Sequence, residues 1–401
     1  MKKPNYNHTI YACFLSYVVQ AVNINFAPLL FLTFQKDFGL SLNNIAMITT
    51  VNFIVQLGMD VVCMKMIDKI GYRASAILAH ICAVLGLSGL AYLPGLFDQP
   101  FVGILLSVVL YAIGGGVMEV LISPIVESCP GDKKEGAMSL SHSFYCWGFV
   151  GVVLLSSIFF AVFGIENWRI LAVLWALLPL AGILMFIKVP IAPLMKAGEE
   201  TYGIRKLIGL KEFWVLIAIM VLSGACEQGA CQWASVFAES VLQMPKFFGD
   251  LAGPLLFAVM MGLTRVYYGK NSEKLRLEKA MLLAGALCLF SYLMIAFAPN
   301  PAVGFLGFAL CGVSVAIFWP GTTSLAAKRI RGGGTALFAF LALAGDLGCA
   351  GGPALVGFAS ELFGDNLQTG FLAGTLLPVL MLVVFTLYRR SFRAKKEARH
   401  A

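Results

Sequence analysis

Charge is scarce in this chain. Only 12% of its 401 residues are Asp, Glu, Lys or Arg, against 59% that are hydrophobic, and the mean hydropathy is +0.85. Soluble domains carry about 25% charged residues, so a soluble protein of this length is excluded. Also missing are a Gly-rich phosphate loop, a nucleophile elbow and any zinc-ligand spacing. Those absences argue against an ATP-driven pump, a membrane hydrolase and a metal centre, and no enzyme activity, cofactor or metal is expected. The 10 Cys lie mostly inside apolar runs, without disulfide-framework clustering, and read as small buried hydrophobes. No small-residue cleavage site follows the first apolar run, which reads as an uncleaved span. The net charge of +8 is scattered through short loops, so nucleic acid is not an expected partner.

Long apolar stretches dominate what remains. A membrane-crossing helix needs about 20 mainly apolar residues, and the sequence divides into twelve such stretches, roughly 9–34, 44–66, 74–94, 101–128, 136–164, 168–189, 213–242, 247–268, 277–298, 302–327, 334–363 and 368–388. Placing both termini and alternate loops on one side puts every Lys and Arg there except Lys36, Arg169 and Lys246. The positive-inside rule makes that side cytoplasmic, so both termini are expected inside. Lys2, Lys3, Lys196, Arg265 and Arg399 belong to this basic inner set.

The longest connection, 190–212, contains Pro, Gly and charges and separates two sets of six spans. This predicts an N-terminal six-helix bundle over 1–189, a cytoplasmic linker over 190–212, and a C-terminal six-helix bundle with a short basic tail over 213–401. A shift of 196 residues aligns Gly116 with Gly312, Pro124 with Pro320 and Gly136 with Gly332. Two faintly repeated halves joined by a linker are the pattern of transporters that rock about a central site.

Asp68-Lys69-Ile70-Gly71-Tyr72-Arg73, between the second and third spans, resembles the D-R/K-x-G-x-R/K signature of the major facilitator superfamily, with Met64 where the motif usually opens with Gly. The resemblance covers the whole chain. It implies an all-α integral membrane protein of twelve transmembrane helices in two six-helix bundles, with Asp68, Gly71 and Arg73 as gating residues; Asp60, six residues from Met66 near the inner end of the second span, is read separately as pairing with a basic loop residue in a gating or structural role. A narrower likeness, to the fucose/glucose proton-symporter branch, rests on Gly114-Gly115-Gly116-Val117-Met118-Glu119 with Ser123-Pro124, on His142-Ser143-Phe144 with Trp147-Gly148, and on Glu227 with Trp233. It implies a cavity glutamate at Glu119. Where that branch carries a span-1 aspartate after an Asn, this chain has Asn25-Phe26.

Ionisable side chains at bilayer depth are costly and usually line a water-filled path or a binding site. At about 1.5 Å of rise per residue, Glu119, His142, Glu227 and Asp346 all lie well inside their spans, with Glu119 and His142 at similar depth. Glu119, His142 and Asp346 are the candidates for proton coupling. Asn23, Asn25, Glu119, Trp147, Glu227, Gln228, Gln232, Trp233 and Trp319 are the candidates for substrate binding, because amides pair with hydroxyls and aromatic faces pack on sugar rings. Gly114 to Gly116 are assigned to close helix approach. Against these roles stand plainer ones: a neutral buried carboxyl that fixes packing, a histidine that donates to a carbonyl, aromatics that only pack.

The sequence thus points to a secondary transporter of a small polar solute, a sugar, by proton symport in the cytoplasmic membrane of a prokaryote, working as a monomer. The alternatives are a proton-exchanging exporter of drugs or metabolites, and a membrane receptor that binds a solute without moving it.

Overall fold

The structure is a computed structural model that describes residues 5–194, 201–241, 243, 246–364 and 366–397. The expected inner basic residues Lys2, Lys3, Lys196 and Arg399 lie outside the described residues. Among the described residues the regular structure is helical throughout.

Breaks and caps follow local chemistry. Helix α1 (Asn7–Asn25) ends where Asn25 turns its Nδ2 back to Ala21 O at 2.8 Å. Pro28, which lacks an N–H, then sits in a 3₁₀ turn over Ala27–Leu30 before α2 (Phe31–Phe38). Ser41 caps α3 (Leu42–Ile70) by accepting from Asn44 N. Gly71, at φ +86°, separates α3 from α4 (Tyr72–Tyr92), a backbone conformation that glycine alone adopts without strain. Then come α5 (Pro100–Ser128), α6 (Lys134–Phe163), α7 (Trp168–Lys188) and the short α8 (Ile204–Ile208). The later helices are α9 (Lys211–Cys231), α10 (Ala234–Ser240), α11 (Lys246–Asn271), α12 (Leu277–Ala296), α13 (Pro301–Val315), α14 (Phe318–Arg329), α15 (Gly334–Leu362), α16 (Leu367–Gly374) and α17 (Leu376–Glu397).

Eleven helical stretches among the described residues are long and apolar enough to cross a membrane. Four of them are interrupted, at α1–α2, α9–α10, α13–α14 and α16–α17. Large apolar side chains such as Leu32, Leu283 and Phe358 stand exposed on the outside, as they do in a protein solvated by lipid. All ten cysteines are free thiols, and none is exposed.

Contacts divide the chain into two units. The first is Met1–Asp132, Phe144–Thr201 and Gly334–Phe340; the second is Lys133–Ser143, Tyr202–Gly333 and Leu341–Ala401. The first few residues of α6 therefore pack with the second unit, and those of α15 with the first. In the first unit Trp168 is buried edge-on against Phe34 at 5.4 Å, within a core that includes Leu30, Leu90 and Tyr111. In the second, Phe237, Phe308 and Phe371 pack edge to face around one another, with Tyr292 beside them.

Of the pairs aligned by the expected repeat, Gly116 and Gly312 make matching contacts, whereas Gly136 packs on Gly269 and Gly332 on Tyr202. A Cβ on Gly116 of α5 would stand 2.8 Å from Met59 Cβ of α3, and one on Gly312 of α13 would stand 2.5 Å from Phe257 O of α11. In each unit one glycine thus brings two helices together, α5 against α3 and α13 against α11. Within the expected linker 190–212, α8 covers Ile204–Ile208. Tyr202 N donates to Gly332 O at 2.7 Å, and Lys206 Nζ lies 3.8 Å above the Tyr202 ring.

Candidate functional site

In the first unit a polar ladder joins α1 to α5. Tyr17 OH meets Ser123 Oγ at 3.2 Å, Gln20 Nε2 donates to Glu119 Oε2 at 3.0 Å, and Asn23 Nδ2 donates to Tyr111 O at 3.3 Å. Residues three apart on α1 lie on one face, as do residues four and eight apart on α5, and the two helices run antiparallel along this seam. Glu119, half-buried, is the carboxyl rung. A carboxylate there accepts from the Gln20 amide, and the amide remains a partner when a proton occupies the carboxyl. Gln20, only 5% exposed, is the partner that sequence reasoning missed. Its signal was an amide inside an apolar span.

Helix α6 reaches this seam through Gly148, whose missing Cβ admits Ala21 and Val18 of α1 at 2.8 and 2.9 Å. Trp147, half-buried, rides beside it, and Phe144 stacks on Phe14 at 4.1 Å. Asn25 is held by its own helix and marks the break after α1.

A second polar stripe runs along α3. Asn52, Gln56 and Asp60, at spacings of four, are all buried, with Asp60 0% exposed. Asp60 lies inside α3, within the expected second span.

The second unit is built around a cation. Arg265, inside α11 and 3% exposed, donates through Nε to Ala316 O at 2.9 Å, through Nη1 to His142 O at 3.1 Å and through Nη2 to Glu227 Oε2 at 3.3 Å. Ala316 lies at the break between α13 and α14, where a carbonyl is released from the helix ladder and needs a donor. The planar guanidinium satisfies that carbonyl and the carboxylate together. Sequence reading counted Arg265 among the inner loop residues, and the structure corrects this. Its signal was a single charge inside an otherwise apolar window.

Of the remaining candidates in this unit, Gln232, Trp233 and Trp319 lie at the ends of interrupted helices. Gln228 is half-buried, and Gln232, exposed, caps α9. Trp233 begins α10 and donates its Nε1 to Pro353 O at 3.0 Å. The ring of Trp319, half-buried, occupies the space that a side chain on Gly345 would fill. Asp346, half-buried, is the next residue after Gly345, inside α15. Glu119 therefore belongs to the first unit, and His142, Glu227 and Asp346 to the second.

The signature segment holds two different junctions. Asp68 accepts from Thr335 Oγ1, which also meets Tyr72 OH at 2.6 Å, and so fixes the first residues of α15 to the first unit. Arg73 donates to Phe186 O, Ile187 O and Val189 O, capping the end of α7. In the second unit Glu135 at the start of α6 takes Lys328 and Tyr268, and Lys133 pairs with Glu273 at 2.9 Å.

Several solved structures share this fold. The E. coli fucose:proton symporter superposes with a TM-score of 0.77 at 15% identity, covering 95% of this chain and 98% of that one. The proton:xylose symporter bound to 6-bromo-6-deoxy-D-glucose gives 0.76 at 13% identity, with 94% of each chain covered. A bacterial homologue of the iron transporter ferroportin, in an outward-facing state, gives 0.73 at 13%, covering 95% and 99%. No curated protein sequence matches. The sequence model described as the Major Facilitator Superfamily matches residues 12–353, most of the chain and both polar clusters, and the chain belongs to that superfamily.

Proposed function

We propose that this protein is a secondary active transporter that carries a small polar solute, a sugar, across the cytoplasmic membrane by alternating access, driven by symport of protons. The observation that carries the reading is the Gln20–Glu119 hydrogen bond, which holds an ionisable group at membrane depth within a row of hydroxyls and amides. Its likeness to two sugar:proton symporters supports the choice of solute class. In this reading α11 supplies the eighth crossing, giving twelve in two sets of six over 1–189 and 213–401, with 190–212 and both termini cytoplasmic and the protein monomeric.

Glu119 carries the coupled proton, with His142 and Asp346 as further proton groups of the second unit. Asn23, Asn25 and Trp147 in the first unit, and Gln228, Gln232, Trp233 and Trp319 in the second, contact the solute. Glu227, held by Arg265, orients its helix and offers its remaining oxygen. Asp68 and Thr335 form a junction that must open and close in each cycle, with Asp60, Gly71 and Arg73 supporting it.

The test is uptake of radiolabelled D-glucose, D-xylose and L-fucose into proteoliposomes with and without an inward proton gradient. Accumulation that depends on the gradient supports the reading. Saturable binding without any flux points to a receptor, and gradient-driven loss from preloaded vesicles points to an exporter.

A further inference from the structure

The three consecutive glycines of α5 do different things. A Cβ on Gly114 would stand 2.5 Å from Ala79 O of α4, and one on Gly116 would stand 2.8 Å from Met59 Cβ and 3.1 Å from Gln56 O of α3. Both positions require glycine because a neighbouring helix backbone fills the space. Gly115 does not. Its Cβ would meet nothing nearer than Gln56 Cδ at 3.7 Å, an ordinary van der Waals contact. Helix packing gives no reason for a bare position there, yet the residue is buried.

Two amides supply a reason. Gln56 of α3 is 2% exposed, its Nε2 lies 3.8 Å from the Gly115 Cβ position, and among the described residues that nitrogen has no hydrogen-bond partner. Asn23 of α1, 1% exposed, donates its Nδ2 to Tyr111 O on the same helix as Gly115. Tyr111 O is the helix carbonyl that faces the N–H of Gly115, four residues on. Asn23 Oδ1 likewise has no partner among the described residues. Buried amide atoms left unpaired are costly and rare, and a bound group normally satisfies them. One unmet donor and one unmet acceptor thus border the same turn of α5, whose side there carries only a hydrogen. A single O–H group fits both, because its oxygen accepts and its hydrogen donates.

We infer that the bare face of Gly115 is a binding site for one hydroxyl group, which accepts from Gln56 Nε2 and donates to Asn23 Oδ1. Glu119 lies four residues further along the same helix face, so the bound oxygen sits one turn from the carboxyl that Gln20 holds. The hydroxyl comes from a water molecule or from the solute, and only the second source rests on the sugar reading above.

The test is a high-resolution map of the purified protein, first without sugar and then with D-glucose, D-xylose or L-fucose, for the parent chain and for Gly115→Ala. Without sugar, one oxygen-sized peak is expected within hydrogen-bond distance of both Gln56 and Asn23, and it should vanish in Gly115→Ala. That variant should still fold, since its new methyl meets no atom closer than ordinary contact, and its melting temperature should fall because the two buried amide atoms lose their partner. A sugar hydroxyl replacing the peak identifies the solute as a source, whereas a peak that persists beside bound sugar identifies water. If none of the three sugars binds while the peak is present, the site stands and the choice of solute fails. The inference is overturned if the two amides bond to each other with no peak between them, or if the peak survives in Gly115→Ala.

Discussion

Arg265 and Glu227 form an ion pair between α11 and α9, with Nη2 and Oε2 3.3 Å apart and side chains only 3% and 10% exposed. The guanidinium also donates to two backbone carbonyls, one at the α13–α14 break and one on α6. Desolvating both charges is repaid only because the cluster is so fully hydrogen-bonded.

Removing one partner should therefore be worse than removing both. Arg265→Met leaves Glu227 buried without its cation and should destabilise the fold by about 3–5 kcal/mol. Arg265→Met with Glu227→Gln should recover a measurable part of that loss. Melting curves in detergent for the two single variants and the double variant check this, and simple additivity would count against the pairing.

Gly114 and Gly116 should not tolerate alanine. Each substitution forces a methyl into a neighbouring helix backbone or Cβ, and overpacking of that kind costs about 1–3 kcal/mol. Gly151, whose Cβ would meet nothing within 4 Å, is the control, and its alanine variant should melt with the parent protein.

The Asp68–Thr335 hydrogen bond should govern rate more than affinity, because neither side chain lies among the polar rungs of α1 and α5. Asp68→Asn and Thr335→Val should each slow transport by roughly tenfold, within the usual range of conformational coupling, while equilibrium binding stays near the parent value. Equal losses of binding and rate would remove the gating role.

Topology is open to a labelling test. Lys274 and Gln99 are both exposed and are expected on opposite sides of the membrane. A cysteine at Gln99 should react with an impermeant maleimide in intact cells, and one at Lys274 only after the membrane is opened. Equal labelling in intact cells would contradict the assignment of the basic loops to the cytoplasm.

How much of this was legible in the sequence follows from the physics of each part. Apolar length gave twelve expected stretches, because a helix in lipid must be about that long, and eleven helical stretches among the described residues are long and apolar enough to cross. Gly71 was legible as a turn because its neighbours make it a motif, and its φ of +86° is the conformation such a turn needs. Glu119 stood out as a charge in an apolar helix. Its partner Gln20 did not, since one amide among many carries no periodic signal and becomes informative only when the antiparallel seam puts it opposite the carboxyl. Arg265 was read as a loop residue because basic residues crowd that end of the span, and only the burial of its side chain against Glu227 distinguishes it. The three glycines looked alike in sequence, and their differences arise from which helix backbone lies opposite each.

The central claim, that Glu119 carries the coupled proton, is tested most directly by comparing two fluxes in Glu119→Gln proteoliposomes. The substitution keeps a hydrogen-bonding group opposite Gln20 but cannot release a proton. Sugar counterflow, which needs no net proton movement, should persist, while accumulation driven by an imposed pH gradient should be lost. A Glu119→Gln protein that still concentrates sugar against its gradient would contradict the account.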